Sequence, residues 1–226
     1  MNRPSHLGFR LMTALFAMLL SVQCVWLLLA EFFRPGISQL PTDAASAAAA
    51  YKERSNAHRA AMIGVIRGDL WAESAFTYSD LIWNDVDERG GADLAQAQSS
   101  VSHALAAAPY QSGLWLLLAG LTLRYQLPSI NVKEALRMSY YTGPSELELM
   151  PLRLSIAVRS NAFSDFEIRD SISREVRLLF THQQKSAIIA AYDAAPSLGR
   201  QLIEQTIREI DPSAVESLRA RAQGSQ

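Results

Sequence analysis

Cysteine is nearly absent from the sequence: Cys24 is the only one among 226 residues. That excludes an intrachain disulfide framework and any multi-cysteine zinc or iron–sulfur centre. Histidine is also scarce. His6, His58, His103 and His182 fall on four separate segments, with no H-x3-H pair and no obvious second ligand beside them. No metal site and no cofactor is therefore expected. Neither sign of charge dominates, because 21 Lys+Arg stand against 22 Asp+Glu for a net charge of −1. The basic footprint of a general nucleic-acid binder is missing. So are the P-loop, the G-x-G-x-x-G turn and the G-x-S-x-G elbow. With the one thiol inside an apolar run, a Cys–His nucleophile is excluded as well.

Charged residues make up only 19% of the chain, against about 25% in a typical soluble domain, and the mean hydropathy is slightly positive at +0.04. The apolar excess is concentrated at the N-terminus. From Leu11 to Ala30 the chain reads LMTALFAMLLSVQCVWLLLA without one charged side chain. At about 1.5 Å per residue, this run matches the roughly 30 Å thickness of a bilayer's hydrocarbon core. Trp26, Phe32 and Phe33 suit its far interface. Arg3 and Arg10 precede the run, and only Arg34 follows closely, beside Glu31. The positive-inside rule then keeps residues 1–10 cytoplasmic, makes 11–33 a transmembrane helix and exports the rest. The expected location is the inner membrane, with a periplasmic C-terminal domain. A cleaved signal peptide is the competing reading. Its apolar region is normally shorter, and a cut after Ala30 places Leu28 where a small residue is preferred.

Everything after the run reads as helix. Arg34-Pro35-Gly36 ends the anchor, and residues 34–42 form a short linker. An alanine-rich helix is expected from Asp43 to Arg67, with Thr42 as its N-cap and Gly68 as its stop. Asp69 starts a helix to about Val86, followed by a break at Arg89-Gly90-Gly91. Further helices are expected at Ala92–Ala108 and Gln111–Gln126. Asn131-x2-Glu134, Ser145-x2-Glu148 and Ser164-x2-Glu167 read as capping boxes for the next three, with Gly143-Pro144 and Asn161 as stops between them. After Ser164, the residues Phe166, Ile168, Ile172, Val176, Leu179 and Phe180 recur at helical spacing. Helices at Lys185–Asp193, Ser197–Ile210 and Ala214–Arg221 follow, the last opened by Asp211-Pro212. Residues 222–226 are expected to fray as a disordered tail. No alternating β-run occurs, so the fold class is all-α.

Repeats were sought at periods of 20–50 residues. Ala97-x3-Val101-x2-Ala104-x4-Pro109 follows the second-helix pattern of a tetratricopeptide repeat, and Trp115-x2-Leu118-Ala119 falls at the start of the next. Trp71-x3-Ala75-x2-Tyr78 recovers three first-helix positions, although Ser74 stands at the leucine position and about ten extra residues, near Asp85 to Ala95, separate the halves. Residues 70–125 thus resemble a tetratricopeptide repeat. Pairs at 145–181 and 182–211 keep the helix-turn-helix length without the signature residues. The resemblance implies a TPR-like array of antiparallel helix pairs over 43–221, with Trp115 in its core. An irregular helical bundle is the alternative.

The remaining chemistry is sparse. Glu73, near Trp71 and Tyr78, is the nearest approach to the catalytic Glu of helical glycan-cleaving enzymes, but lacks the motifs that accompany it. It reads as a surface carboxylate. His103, among alanines, reads as a partly buried histidine, and His182 as a helix-end charge. Arg67-Gly68-Asp69 spells an adhesion tripeptide, although Gly68 is needed as a helix stop. Glu146 and Glu148 suit a helix's first turn. Arg169, Arg174, Arg177 and Lys185 alternate with acids as a solvated face. The expected function is that of a non-enzymatic, membrane-anchored scaffold binding protein partners in a bacterial envelope process. Its layout resembles accessory proteins of polysaccharide biosynthesis and export. A structural subunit of a membrane complex, and a periplasmic enzyme or small-ligand binder, are the alternatives.

Overall fold

The computed structural model describes residues 6–83, 90–128 and 130–224. Among them every regular element is a helix. Of the expected break at Arg89-Gly90-Gly91, Arg89 lies outside the described residues, as does part of the extra stretch from Asp85 to Ala95, whereas Gly90 and Gly91 already belong to a helix.

Helix α1 (His6–Phe32) contains the apolar run. Its stretch Gly8–Phe32 is long and apolar enough to cross a membrane, and none of its most apolar window is buried. Its last turns meet the rest of the chain, where Ala30 is buried and α1 packs on α3 (Arg54–Ile63). The long helix expected at Asp43–Arg67 is two helices, because the chain breaks at Glu53 between α2 (Ala44–Lys52) and α3. Asp43, not Thr42, is the N-cap of α2. Its carboxylate accepts from the amides of Ala45 and Ser46, satisfying two of the orphan donors at a helix start.

Gly64, not Gly68, ends α3. Gly68 instead opens α4 (Gly68–Phe76), where a side chain is forbidden by packing: an added Cβ would lie 2.6 Å from Ala107 Cβ. The helix expected to run on from Asp69 stops at Phe76. There Thr77 Oγ1 donates back to Ser74 O at 2.7 Å, a bond that competes with the helix ladder. A single turn, α5 (Asp80–Trp83), follows.

The next helices are α6 (Gly90–Ala107), α7 (Ser112–Tyr125) and α8 (Val132–Thr142). Gln126, at φ 52°, closes α7 in the left-handed conformation. Asn131 caps α8 through Lys133 N. The capping box expected at Ser145 does not form: residues 144–149 make turns, and α9 (Met150–Arg159) begins later with Pro151 in its first turn. A 3-10 turn at Asn161–Ser164 leads into α10 (Phe166–Thr181), whose N-cap is Asp165 and not Ser164. Phe166, expected on the apolar stripe, is exposed, whereas Ile168, Ile172, Val176 and Leu179 are buried. The chain ends in α11 (Lys185–Ala194), α12 (Ser197–Ile210) and α13 (Pro212–Gly224), so helix continues into the expected tail.

These helices pair and stack in two layers. Helices α4, α7, α9 and α11 pack successively on one another. Opposite them, α6 covers α4, α8 covers α7, and α8, α10 and α12 pack in turn. Small residues set the spacing: Ser74 Oγ and Ser100 Oγ lie 3.1 Å apart between α4 and α6. One continuous core, built on residues such as Leu70, Phe76, Leu117, Leu136, Ile156 and Ile172, runs through the stack.

Candidate functional site

Glu73, expected as a surface carboxylate, lies in a densely packed junction. Every residue from Leu70 to Phe76 is buried, Glu73 included. Its carboxylate accepts from Arg34 Nε at 2.6 Å and from Gly36 N at 3.1 Å. The surface assignment of Glu73 is therefore wrong. α4 is enclosed by α3, α6 and α7, and Arg34 reaches in from the end of α1. Gly36 makes the approach with a φ of 76°, a conformation that disfavours any side chain. Arg34 also lies 3.5 Å from Asp69 and 3.4 Å from Glu31, and Arg67 bridges Glu31 and Asp69 at 2.6 Å each. The hydrogen bond from Arg67 holds the Asp69 carboxyl below its ordinary range, and the bond to Glu73 raises the Arg34 guanidinium. The tripeptide Arg67-Gly68-Asp69 is thus engaged internally.

The sequence-picked repeat positions fall mostly in the core. Trp71, Ala75, Tyr78, Ala97, Val101, Ala104, Leu118 and Ala119 are buried, and Pro109 is exposed at the turn. Trp115, expected in the core, is only half-buried, because its indole turns outward to donate to Pro109 O at 2.7 Å. Trp71 collects two histidines that are far apart in sequence. His103 stacks on it with centroids 4.4 Å apart, and His58 meets it edge-on at 6.3 Å. His103 is exposed, not partly buried, and its Nδ1 is 2.8 Å from Ser99 O. His182 does cap the end of α10. Among the described residues no group of three or more His, Cys, Asp or Glu could hold a metal ion. Arg174 and Arg177 pair with Asp170 and Glu209 on the solvated face.

A second buried charge cluster has no counterpart in the sequence reading. Arg153 on α9 is fully buried and donates from Nε to Glu175 Oε1 at 2.9 Å. Its Nη1 donates to Gly143 O and Ser139 O, at 2.8 and 3.2 Å. The Tyr140 hydroxyl donates to Glu175 Oε2 at 2.9 Å. Burial pushes the Glu175 carboxyl up to about 7, against the opposing pull of Arg153 and Tyr140. The cluster ties α8, α9 and α10 together. Its signals were present in the sequence, as a single charge inside MPLRLSIAV and as Glu175 on the apolar stripe of α10.

Two concave surfaces lie elsewhere. A cleft of about 480 Å³ is bordered by Leu40, Phe76, Tyr110, Ser112, Glu146 and Leu149. Tyr110 stands exposed at its edge, and Ser112 Oγ donates to Glu146 Oε2 at 2.7 Å. Glu146 therefore serves the cleft wall, not a helix's first turn. A shallower groove of about 1020 Å³ runs past Gln126, Asn131, Lys133 and Arg159.

No protein family matches the chain. Comparison with curated proteins finds no similar one, and comparison with solved structures finds no similar fold. The architecture alone carries the functional reading: an all-helical protein of packed helix pairs with one long apolar N-terminal helix.

Proposed function

We propose that this protein is a membrane-anchored helical-repeat scaffold that binds protein partners in the cell envelope. The observation that carries the proposal is the division of α1. None of its most apolar window is buried in the molecule, while its last turns are built into the helical array. An exposed apolar helix of this length is stable only against lipid or another apolar surface. A retained anchor is favoured over a cleaved signal peptide by what lies around Ala30. Ala30 is buried, Trp26 Nε1 donates to Ile63 O at 2.7 Å, and Glu31 pairs with Arg67. Cleavage after Ala30 would strip the first and second of these from the domain. In the proposed orientation, residues 1–10 are cytoplasmic and the array is periplasmic.

The two-layer succession of helices supports a TPR-like array, whose concave surfaces bind segments of other proteins. The cleft beside Tyr110 is the proposed contact face, since an exposed aromatic at a cleft edge is a typical interface anchor. Envelope polysaccharide biosynthesis or export is the proposed process, on layout alone. A photocrosslinking residue at Tyr110, and another at Gln126 in the open groove, tests the proposal in intact membranes. A specific protein adduct at either position is expected. If neither position traps any protein, the scaffold reading fails.

A further inference from the structure

We infer that the corner between α3 and α4, residues Met62 to Ile66, dips into the bilayer as a second lipid contact beside α1. This inference rests on the membrane-anchor reading above. The corner is uncharged, and Met62, Val65 and Ile66 are all exposed, Ile66 at 82%. Three largely exposed apolar side chains gather at one turn, the kind of surface that marks an apolar contact.

Its position is set by α1. The Trp26 indole donates to Ile63 O at 2.7 Å, so the corner sits at the depth of Trp26. Trp26 lies four residues inside the end of the uncharged run at Ala30, about 6 Å along the helix. A bilayer that covers Leu11–Ala30 therefore reaches the corner. Charged residues bracket the patch where headgroups would lie. Arg59 is exposed one turn before it, with its guanidinium 6.0 Å from the Phe33 ring centre, and Arg67 follows it, paired with Glu31.

The backbone gives an independent observation. Lipid cannot satisfy a carbonyl, so a segment entering it must bond its own polar groups. Three successive carbonyls at this corner are bonded internally. Ile63 O accepts from Trp26 Nε1, Gly64 O from Arg67 N at 2.6 Å, and Val65 O from Trp71 Nε1 at 3.0 Å. Two of the three donors are indole nitrogens, one from α1 and one from α4. The two indole bonds satisfy carbonyls that an exposed turn otherwise leaves to water.

Depth-dependent quenching in the full-length protein tests this. The protein is reconstituted in vesicles of phosphatidylcholine and phosphatidylglycerol, with nitroxide groups on the acyl chains. An NBD fluorophore is attached at native Cys24, or in a Cys24→Ser background at Ile66→Cys, Val65→Cys or the exposed control Gln201→Cys. Blue-shifted emission and a quenched fraction close to that at Cys24 are expected at positions 65 and 66, with neither at 201. Quenching at Cys24 but only control-level quenching at 65 and 66 would overturn the inference while leaving the anchor intact. Failure to quench at Cys24 would overturn the anchor reading, and this inference with it.

Discussion

Replacing Arg34 by Met should be among the more damaging single changes outside the hydrophobic core. Glu73 is 2% exposed, and its counter-ion is Arg34. Without the guanidinium, the buried carboxylate keeps only the Gly36 amide, and Gly36 is itself exposed. Breaking a fully buried pair from one side costs about 3–5 kcal/mol. Arg34 is 29% exposed, so water can reach the abandoned carboxylate, and the low end of that range, about 3 kcal/mol, is expected. The reverse change should be milder. In Glu73→Gln the amide oxygen can still accept from Gly36 N, while Arg34 keeps Asp69 and Glu31 as partners, so about 1 kcal/mol is expected. Arg34→Met combined with Glu73→Met removes both charges and should be more stable than Arg34→Met alone. Urea unfolding of the full chain in detergent, followed by circular dichroism, measures all four proteins. A double variant no more stable than Arg34→Met alone, or an Arg34→Met protein within about 0.5 kcal/mol of wild type, would refute the reasoning.

Trp71→Ala should cost about 3–5 kcal/mol, and Trp115→Ala clearly less, because Trp115 is half-buried; equal losses in thermal unfolding would contradict the placement of the two indoles. Gly199→Ala should destabilise by about 1–3 kcal/mol, since its Cβ would meet Val158 O at 2.9 Å. Gly91→Ala, with nothing within 4 Å in the first turn of α6, should stabilise slightly, by up to about 0.5 kcal/mol. Opposite signs in the melting temperature check this pair. For Glu175, whose folded value is raised to about 7 from 4.5, the folded chain holds the proton more tightly than the unfolded one. Its contribution is therefore complete below pH 4.5 and is lost as pH rises through 7, at up to about 1.4 kcal/mol per pH unit. Asp69 and Glu204, held low by Arg67 and Arg219, act with the opposite sign and at lower pH. Glu175→Gln should flatten the stability profile between pH 5 and 7, and parallel profiles would rule out this assignment.

Helix α12 appears at Ser197–Ile210 as the sequence reading expected, because Pro196 before it and Asp211-Pro212 after it punctuate both ends. The pairs α9–α10 and α11–α12 were legible from length, although the capping boxes expected at Ser145 and Ser164 are not the caps that form. The break at Glu53 was not, since an alanine-rich stretch carries no local stop there and the bend comes from packing against α1 and α5. Glu73 was misread for a related reason. Its partner lies 39 residues away, and a carboxylate between Ala72 and Ser74 looks like any solvent-facing charge until the chain returns over it. Trp115 was misplaced because the repeat pattern specifies which residue type stands at a position, not which way the indole turns once Pro109 O is within reach.

The junction at Arg34 and Glu73 also governs how the molecule can move. A domain hung from a bilayer on a flexible tether sweeps out a hemisphere and meets partners at any height. Here the connection is stiff: α1 runs into the fold through Trp26, Ala30, Glu31 and Arg34, and Leu40 is buried a few residues later. In the proposed anchoring the protein is a bracket and not a buoy. With α1 in a membrane, the cleft is carried at a height and azimuth set by the helix axis. Recognition of the proposed partner then becomes a two-dimensional problem, in which it must arrive at that altitude and facing that way.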